Sequence, residues 1–530
     1  MFWADRIVGN IQERFTAEIE AGKPLLLRDE KTASGRVHVG SMRGVAIHGI
    51  VSEILTERKV PNTFLYEIND FDPMDGLPVY LSQEIFEPFL GKPLYTIPSP
   101  DGKAKNYAEY FAKEFIDVIL RAGFKAQYSR SSELYLSGKM NDAIREALLK
   151  AAIVRKVYKE ASGAERGETW LPLNVICESC GKVSTTQVSH FDGEQVKYIC
   201  ADLPWTKGCG HSGTISPFDG RAKLPWKVEW AAKWKVIGVS IEGGGKDHST
   251  KGGSRDVASR IAKEVFSIEP PFDIPYEFFL IDGKKMSSSK GAGSSAKEIS
   301  DLLPPHMFRL ALLSKDMNQA INFDLSGDSV PVLFDLYDRI AEQYWNGVRD
   351  DFTRLFVLIH DEKKRQDIPK RLLPRFSQVA FIVQMKHLSI EEEVSKMKGA
   401  SLTALDKEEI KERVLYVKLW LSTYAPEEFR YELKDTLPPQ AKELTEKQKK
   451  ALEAVLGYIA SQGKLDGQET HTKLHEIRKE MGIEPNEFFS ALYTSFLGKS
   501  YGPKAGWFLS VLDKKFVETR LREASGLTNQ

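Results

Sequence analysis

Two short strings carry the residue types that handle a triphosphate. TASGRVHVGS (32–41) offers a histidine, His38, that can donate to phosphate, and a glycine, Gly40, with no Cβ to hold a flat base away from the backbone. Ser41 is a small donor at the start of the apolar stretch that follows. DGKKMSSSKG (282–291) sets Lys285 and Lys290 around Ser287, Ser288 and Ser289. Ammonium groups there neutralise charge developing on phosphate, and a Gly/Ser-rich loop can close over a ligand. Alone, the first string is a loop histidine beside a turn glycine, and the second is a solvated linker. Their positions at strand ends favour the functional reading.

A third cluster points to a metal. All four cysteines lie between residues 177 and 209. Cys177 and Cys180 have CxxC spacing, and Cys200 and Cys209 form a second arm with His211 close behind. Two such arms suit tetrahedral Zn²⁺ in a closed structural site, with His211 as the alternative to Cys209. Reduced, unligated cysteines are the plainer reading, and a redox pair at Cys177 and Cys180 is a lesser one.

The elements that must hold these groups follow from periodicity. PLLLR (24–28) and NTFLYEI (62–68) read as buried strands, separated by the helical SMRGVAIHGIVSEILTE (41–57). Strand, loop, helix and strand form a βαβ unit with a parallel sheet, which puts the His38 loop where a strand end meets a helix N-terminus. Helical patterns follow at 103–122 and 139–160, with a strand candidate at 125–132 between them. KVIGVSI (235–241) and YEFFLI (276–281) read as strands that complete the sheet. From about residue 296 the apolar positions recur at helical spacing without strand alternation, and LPPQAKEL (437–444) breaks the series.

The expected fold is therefore α/β: a Rossmann-type parallel-sheet catalytic domain with a cysteine-rich insertion, then an all-α C-terminal half. The expected division is 1–170 and 221–295 for the two catalytic halves and 171–220 for the zinc-binding insertion. A helical connecting domain is expected at 296–370, and a further helical domain at 371–530. Lys plus Arg and Asp plus Glu balance at 74 each, which excludes a purely electrostatic nucleic-acid binder but not a local basic surface. The mixed-charge N-terminal segment and the lack of a long apolar run lead us to expect a cytoplasmic protein with no membrane association.

Taken in this order, the two phosphate-handling strings resemble the HIGH and KMSKS signatures of class I aminoacyl-tRNA synthetases. His38 and Gly40 take the first His and Gly, and Ser41 replaces the final His. Lys285, Met286, Ser287 and Ser289 match the second signature, with Ser288 in place of its middle Lys and Lys290 following. The KMSSSKG form, and GPKAGWFLSVLDKKFVETRLRE (502–523) near the chain end, resemble the class I lysyl-tRNA synthetases. Ala33 stands where that family usually has Pro, and Glu30 where it often has Gly.

The resemblance implies ATP with Mg²⁺, L-lysine and tRNA(Lys) as substrates, makes the helical 371–530 an anticodon-binding domain, and allows for tRNA being needed before activation. We assign ATP contacts to Ser34, Gly35, His38, Gly40, Ser41 and the segment from Lys285 to Lys290, with His38, Lys285 and Lys290 as the catalytic groups. Family segments place lysine contacts at Thr32, Trp230, His248 and Tyr276. The ammonium also calls for an acid, and Asp70 or Asp72 in NDFDPM (69–74) is expected, or less so Glu229. Each has a plainer alternative: Trp226, Trp230 and Trp234 as one packed helix face, Tyr276 as strand core, His248 as a loop cap, and the two aspartates as turn formers. A monomer is expected. The competing functions are a glutamyl or arginyl synthetase, a small-substrate nucleotidyltransferase of the same superfamily, and a non-catalytic tRNA-binding paralogue.

Overall fold

The structure is a computed structural model and describes residues 1–283, 294–385 and 388–527. The chain forms two compact units. One is Met1–Asp324 with Ile340–Ile368; the other is Leu325–Arg339 with Pro369–Gln530.

In the first unit, β1 (Leu25–Thr32), β2 (Asn62–Asn69) and β3 (Gln127–Arg130) form a parallel sheet in the order β1-β2-β3. On the free side of β1, Leu27 bridges Ile241 in parallel, and Ile241 bridges Phe272 in parallel. The spatial order is thus β3, β2, β1, the Ile241 segment, the Phe272 segment. The chain winds one way from β1 to β3 and the other way from β1 to Phe272. That is a doubly wound sheet, and its ligand crevice is expected outside the carboxyl ends of β1 and the Ile241 segment, where the winding reverses.

Between β1 and β2 runs α1 (Met42–Glu57), apolar on nearly every side and buried over most of its length. Later come α2 (Tyr107–Arg121), α3 (Trp226–Ile237) and α4 (Ser254–Glu264). Two expected strands need correction. KVIGVSI is helical through Ile237, because the tryptophans of α3 recur every fourth residue. Gly238, at φ +77°, ends the helix, and only Ile241 pairs in the sheet. YEFFLI divides between two ladders: Pro275–Tyr276 pairs with Gly244–Gly245, and Phe279–Ile281 with Ile321–Phe323. The last is a strand inside the stretch expected to be wholly helical. The 139–160 helix also breaks, into Asn141–Leu149 and Ala151–Ser162. The cysteine-rich segment carries an antiparallel sheet of Thr186–Phe191, Val196–Cys200 and Ser212–Ile215.

The second unit is helical. Helices Glu446–Ser461, Gly467–Glu480, Pro485–Leu497 and Lys514–Ser525 bury Leu452, Ile459, Leu474, Leu492, Phe496 and Leu521 against one another. Thr445 and Gln448 close a capping box at the first of these, just after the turn at Pro439–Glu443 that breaks the series. Among the described residues no helix is long and apolar enough to cross a membrane.

Candidate active site

The His38 loop is pinned on several sides. The Tyr107 hydroxyl donates to the Ser34 carbonyl at 2.9 Å, and the Arg36 N–H donates to the Tyr80 oxygen at 2.6 Å. A single 3-10 turn, Val39–Ser41, then leads into α1. A Cβ on Gly40 would lie 2.9 Å from His38 Nδ1 and 3.2 Å from the Phe279 carbonyl oxygen, so only glycine fits without displacing the imidazole or that carbonyl. His38 also faces Ser295 in an antiparallel bridge, and the Ala296 N–H donates to the Val37 carbonyl at 2.8 Å. Lys285, Met286, Ser287, Ser288, Ser289 and Lys290 lie outside the described residues. The residues on either side of that segment, Phe279 before it and Ser295 after it, both reach the His38 loop.

At the expected switch point a cavity of about 390 Å³ opens, lined by residues of the His38 loop, β1, α3, the Ile241 segment and the strand at Tyr276. Of the residues expected from sequence, it brings together Ser34, His38, Gly40, Ser41, Trp230, His248 and Tyr276. Thr32, Gly35, Asp70 and Asp72 are not in its wall. The acids that are in the wall differ from those the sequence suggests: Asp29, Glu30, Glu242 and Asp247. The signal for the first three is their place at the carboxyl ends of two adjacent parallel strands.

Asp70 and Asp72 are committed elsewhere. Asp70 accepts from the Ser132 N–H at 2.7 Å and from its hydroxyl at 2.6 Å. Asp72 pairs with Lys223 at 3.0 Å and accepts from Thr32 Oγ1 at 2.5 Å. Glu229 accepts from Lys223 and, at 2.7 Å, from the Tyr135 hydroxyl.

Under the cavity lies a buried ionic lattice between β1, β2 and α3. Arg28 meets Glu67 at 2.7 Å, Glu242 at 2.6 Å, and Glu30. Lys233 meets Glu67 at 2.7 Å and Glu30 at 3.0 Å. Burial opposes ionisation of Glu67, but Arg28 and Lys233 outweigh it and hold the carboxyl well below its usual range. Glu242 is the hub on the cavity side: the Trp230 indole N–H donates to it at 2.8 Å and that of Trp234 at 2.7 Å. The Trp226 ring stacks on Trp230 with centroids 4.9 Å apart, and His248 stands edge-on to Trp230 at 5.8 Å. The three tryptophans are thus a helix face and a cavity wall at once.

His48 on α1 is a buried, neutral strut. The Gly243 N–H donates to its Nε2 at 2.8 Å, so the ring proton sits on Nδ1 and is given to the Gly44 carbonyl at 2.8 Å. Burial lowers its pKa, in keeping with that tautomer.

In the insertion, the sulfurs of Cys177, Cys180, Cys200 and Cys209 all lie within 4.8 Å of one another. Cys177 and Cys209 are 3.6 Å apart, and Cys180 and Cys200 are 3.7 Å apart. A tetrahedron with metal–sulfur bonds of about 2.3 Å has edges of roughly 3.8 Å, so the four thiolates fit one zinc-sized ion. Cys209 completes the set, and His211 is not needed. The Cys209 N–H and the Thr185 hydroxyl both lie against the Cys200 sulfur, as outer-shell groups that orient a ligand do.

The first unit thus carries a His-x-Gly loop at the switch point of a doubly wound sheet, and the second unit is helical. Residues 1–364 match the family model described as tRNA synthetases class I (K), and residues 402–525 match that of an anticodon binding domain. A lysine–tRNA ligase of Methanosarcina barkeri is 34% identical over 546 residues, covering 99% of this chain and 97% of that one. Those of Thermoplasma volcanium and Archaeoglobus fulgidus are 31% and 30% identical, each over 99% of this chain. The chain belongs to the class I tRNA synthetases.

Proposed function

We infer that the chain is a lysine–tRNA ligase: it activates L-lysine with ATP, taken as the magnesium complex, to lysyl-adenylate and diphosphate, then passes the lysyl group to tRNA(Lys). The observation that carries this reading is the composition of the switch-point cavity. Its wall combines phosphate-handling groups (His38, Gly40, Ser41) with acids and aromatic rings that suit an ammonium and its aliphatic stem.

The lysine carboxylate is already a nucleophile at neutral pH, so the attack on the α-phosphorus needs no protein base. Catalysis rests on alignment and charge stabilisation. We assign these to His38, Lys285 and Lys290, with Ser34, Gly35, Gly40, Ser41, Met286, Ser287, Ser288 and Ser289 holding ATP. Trp230, His248 and Tyr276 hold lysine, with Thr32, Asp70 and Asp72, which are not in the wall, supporting the pocket. The helical second unit takes the anticodon loop. The protein works as a cytoplasmic monomer with the expected domain boundaries.

Zinc is held by Cys177, Cys180, Cys200 and Cys209 as a structural ion. Cys200→Ser is expected to leave the purified protein with far less than one zinc per chain and a lower melting temperature, as metal analysis and thermal unfolding would show. Unchanged zinc would remove Cys200 from the ligand set.

Aminoacylation of bulk tRNA with labelled lysine tests the function itself. Lysyl-tRNA formation is expected. Bound tRNA with no product would favour the non-catalytic reading, and charging with glutamate or arginine would favour another synthetase.

A further inference from the structure

Side chains alternate along β1. Arg28 and Glu30 turn toward α3 and join the ionic lattice, so Asp29 turns the other way, toward α1. One Asp29 oxygen accepts the Glu30 N–H at 2.8 Å. The other, Oδ2, converges with the Tyr276 hydroxyl over Gly44. A Cβ on Gly44 would lie 2.6 Å from Asp29 Oδ2 and 2.5 Å from Tyr276 Oη. The glycine thus lets the two oxygens pack close together over the helix, no more than about 5.1 Å apart, and both residues line the cavity.

Among the described residues, Asp29 has no lysine or arginine within ion-pairing distance. The nearest nitrogen base is His48 Nδ1 at 3.8 Å, whose proton is given to the Gly44 carbonyl. Glu30 and Glu242 in the same wall are each matched by buried cations or indole donors. Asp29 keeps accepting capacity and, among the described residues, has no cation against it.

We propose that Asp29 and the Tyr276 hydroxyl form the pair that binds an ammonium group of the amino-acid substrate, and that Asp29 makes the cavity select a cationic amino acid. A primary ammonium has three donors and no acceptor, and a carboxylate oxygen beside a phenol oxygen offers it two acceptors. The inference rests on the reading that this cavity takes lysine, and it names the acid that reading lacks.

The electrostatics agree. Burial and the Glu242 charge push the Asp29 carboxyl up to about 7, against the pull of the Glu30 N–H, Arg28 and Lys31. His48 on α1, Tyr66 on β2 and Tyr276 also face it, and none supplies a cation. Below that pH Asp29 is neutral and binds an ammonium poorly; above it the carboxylate forms. The KM for lysine is therefore expected to fall as pH rises from 6 to 8, a range in which lysine's side-chain ammonium does not titrate.

The test is lysine-dependent ATP–pyrophosphate exchange with tRNA present, comparing the unmodified chain with Asp29→Asn. The variant is expected to raise the KM for lysine about tenfold or more, to leave the KM for ATP within about twofold, and to flatten the pH dependence. Tyr276→Phe, which removes one oxygen, is expected to shift the lysine KM in the same direction by less, and keeps the question open to measurement should Asp29→Asn fold poorly. Norleucine as an inhibitor separates the two ammonium groups. If Asp29→Asn erases the preference for lysine over norleucine, the partner is the side-chain ammonium. If both weaken equally, the partner is the α-ammonium, and the claim that Asp29 selects a cationic amino acid is overturned. An unchanged lysine KM in both variants, or lysine and ATP KM values rising together, would overturn the proposal. No lysine-dependent exchange in the unmodified chain would instead overturn the proposed function.

Discussion

His38→Ala is expected to slow lysyl-adenylate formation by about 10²–10³-fold while tRNA binds as before. The loss is that of one preorganised donor aimed at developing phosphate charge. The imidazole sits in the cavity wall, on a loop held independently by Tyr107, Tyr80 and the pairing with Ser295 and Ala296. Its removal should therefore leave the loop and the sheet in place. Pyrophosphate exchange measures the first effect, and filter binding of tRNA the second. Exchange at the unmodified rate would take His38 out of the chemistry.

Lys233→Met is expected to destabilise the first unit by about 3–5 kcal/mol, because it strands buried carboxylates that the ammonium now matches. Lys233 is fully buried, with Glu67 at 2.7 Å, Glu30 at 3.0 Å and the Ser131 hydroxyl at 3.0 Å. The pH dependence has a definite sign. In the unmodified protein Glu67 is held below its usual range, so its contribution is present above the unfolded carboxyl pKa and lost as pH falls through the lower folded value. In the variant the stranded carboxyls titrate higher in the folded state than in the unfolded one, so its deficit should shrink on acidification toward pH 5. Denaturant midpoints at pH 8 and pH 5 check both statements; a deficit independent of pH would contradict the charge argument. Trp230 stands three residues before Lys233 on α3, so the KM for lysine should rise more than that for ATP.

Much of this architecture is legible in the order of residues along the chain. β1, α1 and β2 can be read there because a buried strand and a fully buried helix both write apolar residues at their own period. The four-cysteine cluster can be read because the spacing of metal-ligating residues is itself a sequence pattern. The features that escape such reading do so for physical reasons. Residues 235–237 are β-branched or apolar in part, yet continue a helix whose period is set by tryptophans upstream. Ile321–Phe323 is too short a strand to show alternation. Asp70 and Asp72 sit at a strand end and look available, but availability depends on Ser132, Lys223 and Thr32, which are distant in sequence and adjacent in space. Asp29 and Glu242 escape for the converse reason. Flanked by charges or glycines, they resemble loop residues until β1 and the Ile241 segment are placed side by side.

The central claim is that one triphosphate lies between two segments far apart in the chain. A crystal structure of the protein with a non-hydrolysable ATP analogue tests that directly. The phosphates are expected within hydrogen-bonding reach of His38 at one side and of Lys285 or Lys290 at the other. Phosphates seated away from the Val39–Ser41 turn, with the lysines of residues 284–293 directed elsewhere, would contradict it.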